Sequence, residues 1–124
     1  MLGSAKIVAF APITDAQRAR RFYEGVLGLR FVSQDQFALV MDANGTILRL
    51  AVVQSLTPQP FTVLGWEVAD IQETVAALKQ LGVAFERFPG MPQGDLGIWT
   101  APGGAKVAWF KDPDGNLLSV SQIV

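Results

Sequence analysis

The segment Phe110-Lys111-Asp112-Pro113-Asp114-Gly115-Asn116 decides the fold, because it places turn-forming residues between two runs of β-favouring residues. Residues 107–110 and 117–123 are the two predicted strands, and Asp112-Pro113-Asp114-Gly115 is the turn between them. An earlier segment, Asp42-Ala43-Asn44-Gly45, has the same character and lies between predicted strands at 37–41 and 46–53. Two similar hairpins, far apart in the chain, indicate a repeated structural unit.

Each hairpin is preceded by a strand and a helix with the same start and stop signals. Thr14 or Asp15 is the candidate N-cap of the first helix, and Asp70 is that of the second. The pairs Leu27-Gly28 and Leu81-Gly82 end the helices, since glycine favours the left-handed conformation that follows a helix. The pattern predicts strand–helix–three strands, twice.

The predicted elements of the first unit are a strand at 6–13, a helix at 16–27 and strands at 29–32, 37–41 and 46–53. Those of the second are a strand at 61–68, a helix at 70–81 and strands at 83–88, 107–110 and 117–123. A Pro- and Gly-rich loop at 89–104 contains a candidate short strand at 98–100. The prediction is an α+β fold with βαβββ modules at 5–53 and 61–123, a linker at 54–60, and a single domain over 1–124.

Composition excludes several classes of function. The 124 residues are 50% hydrophobic with a formal net charge of −1, which is typical of a globular protein, and no basic stripe indicates nucleic-acid binding. The apolar stretches are strand-sized and the start lacks a secretory pattern, so we expect a cytoplasmic protein that does not enter a membrane. The absence of cysteine and histidine excludes disulfides, thiolate chemistry, Ser-His-Asp catalysis and imidazole metal sites.

Several segments together resemble the signatures of the glyoxalase/bleomycin-resistance/dioxygenase superfamily, also called vicinal oxygen chelate proteins. They are Thr14-Asp15, Arg21-Phe22-Tyr23, Val26-Leu27-Gly28-Leu29 and residues 110–116. The resemblance covers nearly the whole chain. It implies two βαβββ modules that form a curved mixed sheet around a cavity, with the helices on the outer face, and it implies a homodimer.

The resemblance also implies where a metal would be held. Metal-using members place ligands at four cavity-facing positions, which map to Val8, Arg49, Val63 and Ser119. Valine has no donor atom, arginine is a fixed cation, and a lone serine hydroxyl is a weak ligand. We therefore expect no metal, no cofactor and no metal-dependent glyoxalase or dioxygenase activity, although an ion held by Asp and Glu elsewhere stays an alternative.

Strand alternation assigns each side chain to the helix side or the cavity side. A two-residue turn at Pro113-Asp114 would pair Phe110 with Leu117 and Ala108 with Ser119. The same rule at Ala43-Asn44 would pair Val40 with Ile47 and Ala38 with Arg49. The predicted cavity-facing residues are Val8, Phe10, Pro12, Gln36, Arg49, Val63, Gly65, Glu67, Lys106, Phe110, Ser119 and Ser121. The predicted helix-facing residues are Phe37, Leu39, Leu48, Leu50, Val52, Trp66 and Trp109.

Arg49 is the leading site candidate, because a partly desolvated guanidinium needs a partner. It would either anchor an anionic or carbonyl group of a ligand or form an ion pair with Glu67, and the sequence leaves both open. Glu67 is also a weak candidate for a catalytic general base. Trp99, with Phe88 and Met91 nearby, favours a flat apolar ligand if the 89–104 loop covers the cavity; the alternative is a loop packed on the core or on a dimer partner.

The leading functional prediction is metal-independent binding of a small aromatic or amphiphilic molecule, as in drug-sequestering antibiotic-resistance members or metabolite-binding members of the family. The predicted ligand-binding residues are Phe10, Arg49, Glu67, Trp99, Phe110 and Ser119. The alternative is a lyase or isomerase of the same superfamily that acts on a small carbonyl or carboxylate substrate through Glu67 and Arg49. The identity of the ligand does not follow from the sequence.

Overall fold

The computed structural model describes residues 1–123, and their contacts divide the chain into two compact units, Met1–Thr57 and a second that begins at Pro58. Within the described residues, each unit contains a four-stranded mixed sheet and a principal helix. The division falls inside the predicted linker at 54–60. The predicted α+β fold with a repeated strand–helix–three-strand unit is confirmed.

The first unit follows the predicted order closely. A 3-10 helix at Leu2–Ser4 precedes β1 (Val8–Ile13), α1 (Ala16–Arg20), β2 (Arg30–Gln34), β3 (Ala38–Ala43) and β4 (Thr46–Val52). The sheet order is β1-β4-β3-β2, with β1 parallel to β4 and the other pairs antiparallel. The Asp15 carboxylate caps α1 by accepting the Arg18 backbone N–H, and the helix continues as a π-helix at Arg21–Val26.

The second unit repeats this topology with a shorter outer strand. It consists of β5 (Thr62–Glu67), α2 (Ile71–Gln80), β6 (Trp99–Thr100), β7 (Lys106–Lys111) and β8 (Leu117–Gln122). The sheet order is β5-β8-β7-β6, and β5 is parallel to β8. Asp70 caps α2 by accepting the Glu73 N–H, as the sequence predicts.

The predicted strand at 83–88 is wrong. Phe85 makes only an isolated bridge to Phe110, and the Glu86 N–H donates to the Trp109 carbonyl at 2.8 Å. Beyond that point the backbone is bonded by a side chain: Gln93 Oε1 accepts the Phe88 N–H at 2.9 Å, and Gln93 Nε2 donates to the Glu86 carbonyl at 3.0 Å. The Gln93 carboxamide therefore makes hydrogen bonds that a neighbouring strand would otherwise make, and β6 is the outer strand of the sheet.

In the first unit, α1 covers the face that carries Leu39, Met41, Leu48 and Leu50, all of which are buried. Phe31 pairs with Met41 on this face, and the Arg20 guanidinium from α1 lies 3.6 Å from the centre of the Phe31 ring. The predicted helix-side position of Phe37 is wrong, since its side chain is 66% exposed. Phe37 precedes β3, in a turn where Asp35 Oδ1 accepts its backbone N–H at 2.8 Å.

The first hairpin turns one residue later than predicted. Ala43 pairs with Thr46, so Asn44 and Gly45 are the two turn residues, and both have a positive φ, 52° and 94°. This is the conformation that the two-residue hairpin needs. Arg49 therefore pairs with Val40 and not with Ala38. A shift of two positions in the pairing leaves each side chain on its predicted face.

The second hairpin differs from its prediction by one position, and here the faces change. Phe110 pairs with Leu118, and Trp109 pairs with Ser119. The cause is a five-residue loop at 112–116, in which Asp112 Oδ1 accepts the N–H groups of Asp114 and Asn116 at 2.9 Å each. A one-residue change of register turns every side chain of a strand to the opposite side.

Phe110 consequently lies in the core, on the face that α2 covers. Phe110, Leu118 and Ala108 are fully buried, and Val120 is 3% exposed. The Gln122 side chain on this face accepts the first N–H of α2, from Ile71, at 2.9 Å, which identifies the covered face. The predicted cavity-facing orientation of Phe110 and Lys106 is therefore wrong, as is the helix-facing orientation of Trp109. Trp66 pairs with Val120 and lies on the helix side as predicted.

Candidate ligand-binding site

The sheet of the second unit has one face away from α2, which we call the second open face. Pairing places on it Trp99, Val107, Trp109, Lys111, Leu117, Ser119, Ser121, Thr62, Gly65 and Glu67. Of the predicted site residues, Trp99, Ser119 and Glu67 share this face. Phe110 does not.

Three aromatic rings form a cluster at this face, which we call the aromatic cluster: Phe88, Trp99 and Trp109. The centres of the Phe88 and Trp109 rings are 5.4 Å apart at 90°, and those of Trp99 and Trp109 are 6.1 Å apart at 37°. Trp109 Nε1 donates to Thr62 Oγ1 at 3.1 Å, which fixes the indole over the start of β5. Such rings offer large flat apolar surfaces with defined orientation.

The loop that carries Phe88 and Trp99 is held by side-chain hydrogen bonds to backbone groups. Besides its two bonds to Glu86 and Phe88, Gln93 Nε2 donates to the Gly97 carbonyl at 2.8 Å. The Arg87 guanidinium donates to the carbonyls of Gln93, Gly94 and Asp95 at 3.3, 2.7 and 2.9 Å. These bonds set the position of the aromatic cluster before any ligand binds.

A cleft with a volume of about 380 Å³ adjoins the aromatic cluster. Its lining combines apolar side chains with one carboxamide, one carboxylate and one ammonium group: Phe88, Leu117, Pro58, Pro60, Gln59, Glu86 and Lys111, together with Gly115. Lys111 Nζ lies 3.6 Å from Glu86 Oε1. The volume falls within the range of small-molecule pockets.

Ser119 and Glu67 occupy different environments on the second open face. Ser119 is only 8% exposed and pairs with Gly65, where an added Cβ would lie 2.8 Å from Ser119 Oγ. Glu67 is exposed and pairs with Ser121 at the end of β5. The Ser119 hydroxyl is therefore buried opposite Gly65, which has no side chain, and the Glu67 carboxylate is exposed to solvent.

The corresponding open face of the first unit carries Arg49. Its cross-strand neighbours are Phe10 on β1 and Val40 on β3, and Phe10 is 61% exposed. The backbone N–H groups of Phe37 and Ala38 lower the pKa of Asp35, and the positive charge of Arg49 contributes in the same direction. Asp35 is thus an electrostatic neighbour of Arg49 in its own unit, which the sequence did not indicate.

A larger groove of about 710 Å³ lies beside the π-helix of the first unit. Arg20 lines it but donates through Nε to Glu24 at 2.8 Å and stacks on Phe31, so its guanidinium is already bonded. Alongside it are Arg21 and Gln34. This groove contains no aromatic platform, and we do not place the ligand there.

The side chains at the four positions to which the family resemblance assigns metal ligands are poor ligands for a divalent ion. Val8 pairs with Ile47, and Val63 lies at an irregularity in the β5–β8 register, between Thr62 and Leu64. Neither valine has a donor atom, and Arg49 would repel a cation. Among residues 1–123, no group of three or more Asp or Glu side chains is arranged to hold an ion.

The sequence pattern groups Phe88 with Trp99, but it does not identify Trp109 as the ring that contacts both, and it does not mark Lys111 or Glu86 as site residues. Trp109 was assigned to the wrong face by the hairpin register. The sequence signal for the longer loop is Asp112 followed by Gly115. An aspartate can accept hydrogen bonds from the backbone N–H groups that follow it, and a glycine can adopt a positive φ, which is 88° here. Nothing in the sequence marks Lys111 and Glu86 as neighbours.

The fold and its two open sheet faces define an α+β protein of paired βαβββ units. The chain belongs to the Glyoxalase/Bleomycin resistance protein/Dioxygenase superfamily, whose family model matches residues 6–120. A comparison with curated protein sequences found no match.

Solved structures with the same fold carry several different functional names. The lactoylglutathione lyase of Agrobacterium tumefaciens is 18% identical to this chain with a TM-score of 0.75, and the match covers 96% of this chain and 93% of the lyase chain. The genomically encoded fosfomycin resistance protein FosX of Listeria monocytogenes is 14% identical with a TM-score of 0.76, over 98% and 94% of the two chains. A superfamily member from Sphaerobacter thermophilus DSM 20745 is 24% identical with a TM-score of 0.73, over 94% and 97%. At these identities the likeness shows the fold alone.

No helix described within residues 1–123 has the length and apolar character needed to cross a bilayer.

Proposed function

We propose that this protein binds a small aromatic or amphiphilic molecule without a metal ion, in the manner of a drug- or metabolite-sequestering protein. The observation that carries the proposal is the aromatic cluster on the second open face. The centre of the Trp109 ring lies 5.4 Å from that of Phe88 and 6.1 Å from that of Trp99, and Trp109 is fixed by a hydrogen bond to Thr62. A flat ligand would gain contact area there at little cost in side-chain ordering.

The residues at the family's metal positions support a metal-free mode of binding. Val8 and Val63 would contribute only alkyl groups, and Arg49 a positive charge. Arginine suits the anionic or carbonyl group of a ligand better than a cation. The aromatic cluster is the surface that we assign to the ligand, and the buried Phe110 is not included. Phe10 beside Arg49 is a separate candidate surface of the first unit.

The three tryptophans allow a direct test, because one of them serves as a matched control. Trp99 and Trp109 lie on the second open face, whereas Trp66 lies on the face covered by α2. Naphthalene and indole derivatives are titrated by calorimetry, and planar quenchers are titrated against tryptophan emission. We expect saturable binding that Trp109→Leu and Trp99→Leu each weaken about tenfold, corresponding to about 1.4 kcal/mol, and that Trp66→Phe leaves unchanged.

Binding that survives the loss of both Trp99 and Trp109 would remove the basis of the proposal. Stoichiometric bound metal in the purified protein would overturn its metal-free part. Turnover of a bound carbonyl or carboxylate compound would favour the lyase or isomerase alternative over sequestration.

We also propose a homodimer, which rests on family resemblance. Light scattering coupled to size-exclusion chromatography should give twice the chain mass of 13.4 kDa. A mass of one chain at all concentrations would contradict it.

A further inference from the structure

We infer that the ligand carries a zwitterionic head group, with one ammonium and one carboxylate, which binds between Lys111 and Glu86 while its flat apolar part rests on Phe88. This inference rests on the proposed function, because it places the head group in the cleft next to the aromatic cluster. The ligand class is therefore that of aromatic α-amino acids and their close analogues.

The connection between the cleft and the aromatic cluster comes from Phe88, which belongs to both. Its ring contacts Trp109 edge to face at 5.4 Å, and its side chain lines the cleft together with Leu117 and Lys111. Trp109 and Lys111 are alternate residues of β7 and so lie on the same face, about 7 Å apart along the strand. A ligand the size of a single amino acid spans this distance.

The charge arrangement of the cleft selects the head group. Lys111 Nζ and Glu86 Oε1 are 3.6 Å apart, which is longer than a charge-assisted hydrogen bond of about 2.8 Å. The two side chains are 54% and 31% exposed, so separating them costs little. A simple carboxylate would gain Lys111 but meet repulsion from Glu86, and a simple amine would meet the reverse. A zwitterion satisfies both groups.

The rest of the cleft is lined by Pro58, Gln59, Pro60 and Gly115. Pro58 lies so near Gly115 that a Cβ there would be 3.0 Å from Pro58 Cγ. Proline rings restrict the backbone of this segment. The apolar part of the ligand thus contacts proline and phenylalanine side chains, with its polar end at Lys111 and Glu86.

The test compares four probes by calorimetry: phenylalanine, 3-phenylpropionate, 2-phenylethylamine and the uncharged indole. We expect phenylalanine to bind at least tenfold more tightly than either singly charged analogue. Lys111→Met should reduce phenylalanine to the affinity of 2-phenylethylamine, and Glu86→Gln should reduce it to that of 3-phenylpropionate. Lys79→Met and Glu73→Gln on the exposed side of α2 are the matched controls and should change nothing.

The outcomes separate this inference from the proposed function. Binding of indole with no preference for phenylalanine over its singly charged analogues overturns the zwitterion site and leaves the aromatic site standing. A preference for phenylalanine that both Lys111→Met and Glu86→Gln retain also overturns it. Failure of all four probes to bind overturns both. Near-ultraviolet circular dichroism of each variant verifies that the aromatic cluster is intact.

Discussion

Gly65 and Ser119 face each other across β5 and β8 so closely that a β-carbon at position 65 would lie 2.8 Å from Ser119 Oγ. Glycine is therefore favoured at this point of the sheet by close approach to the Ser119 hydroxyl and not by backbone conformation. Gly65→Ala should lower the free energy of unfolding by about 1–3 kcal/mol, the usual cost of overpacking. Urea denaturation measures the change.

The double variant Gly65→Ala, Ser119→Ala is the control for this contact. Removal of Oγ should restore most of the lost stability, because the clash is with that atom. A double variant as unstable as Gly65→Ala alone would show that Ser119 is not the cause.

Gln93→Met should disconnect the loop that carries the aromatic cluster. The substitution keeps the side-chain length but leaves the carbonyls of Glu86 and Gly97 and the N–H of Phe88 without their bonds to the carboxamide. We expect a loss of about 2–3 kcal/mol in stability and faster hydrogen exchange at the Phe88 amide, followed by NMR. Gln80→Met, on the exposed end of α2, controls for the change of residue type. Unaltered exchange at Phe88 would contradict the assigned role of Gln93.

Asp42 should make the first unit more stable above the ordinary pKa of an aspartate than below it. The Arg30 guanidinium donates to Asp42 Oδ2 at 2.7 Å, and the Gly45 N–H donates to Oδ1 at 2.7 Å. The Arg30 hydrogen bond, then that of Gly45, lowers the pKa of the Asp42 carboxyl. A carboxyl whose pKa is lower in the folded state stabilises that state above the unfolded pKa, and this contribution disappears as the pH falls through the folded pKa.

The NMR titration of the Asp42 carboxyl in Arg30→Met tests this reasoning. The pKa should rise towards its ordinary value and the acid branch of the stability curve should flatten. Arg21→Met, on the exposed side of the π-helix, should leave the titration of Asp42 as it is. An unchanged Asp42 pKa in Arg30→Met would refute the assigned cause.

Arg49→Ala distinguishes the two roles that remain open for this residue. Its loss removes a positive charge near Asp35, so the pKa of Asp35 should rise, although the N–H groups of Phe37 and Ala38 remain the larger influence. If Arg49 anchors the ligand, the affinity for anionic aromatic compounds should fall about tenfold, or about 1.4 kcal/mol, while stability is retained. Lost stability with unchanged affinity would favour a structural role for Arg49 within its own unit. Arg21→Ala is the control for loss of a surface charge.

The elements that depend on local signals follow from the sequence. Asp15 and Asp70 cap the helices, and Asn44-Gly45 forms the first hairpin turn, because each acts through its own backbone neighbourhood. Two of the wrong predictions arise from side chains that bond to backbone groups. The Gln93 carboxamide bonds the backbone of the segment predicted as a strand at 83–88, and the Asp112 carboxylate stabilises a longer loop between β7 and β8. Periodicity alone carries no information on such competition.

The same limit applies to the candidate site. Arg49 keeps its predicted face because the first hairpin is shifted by two positions, and Phe10 is its neighbour on that face. Ser119 and Glu67 keep theirs because the one-residue change in the second hairpin reverses the faces of β7 and not those of β8 and β5. Phe110 and Trp109 were each assigned to the wrong face, because a shift of one residue in the register turns side chains to the opposite face of the sheet. Lys111 and Glu86 are 25 residues apart in sequence, and they are brought together by the Phe85–Phe110 bridge and the hydrogen bond from the Glu86 N–H to the Trp109 carbonyl.

The loop at 112–116 gives a means of redesigning the recognition surface without touching the strands. Deleting one residue there would exchange an indole for a phenyl ring on the exposed side of β7 and drive Trp109 inward. A change of one residue in the length of this turn therefore changes which side chains of β7 lie on the second open face. Related chains that differ only in the length of this turn are expected to select different molecules.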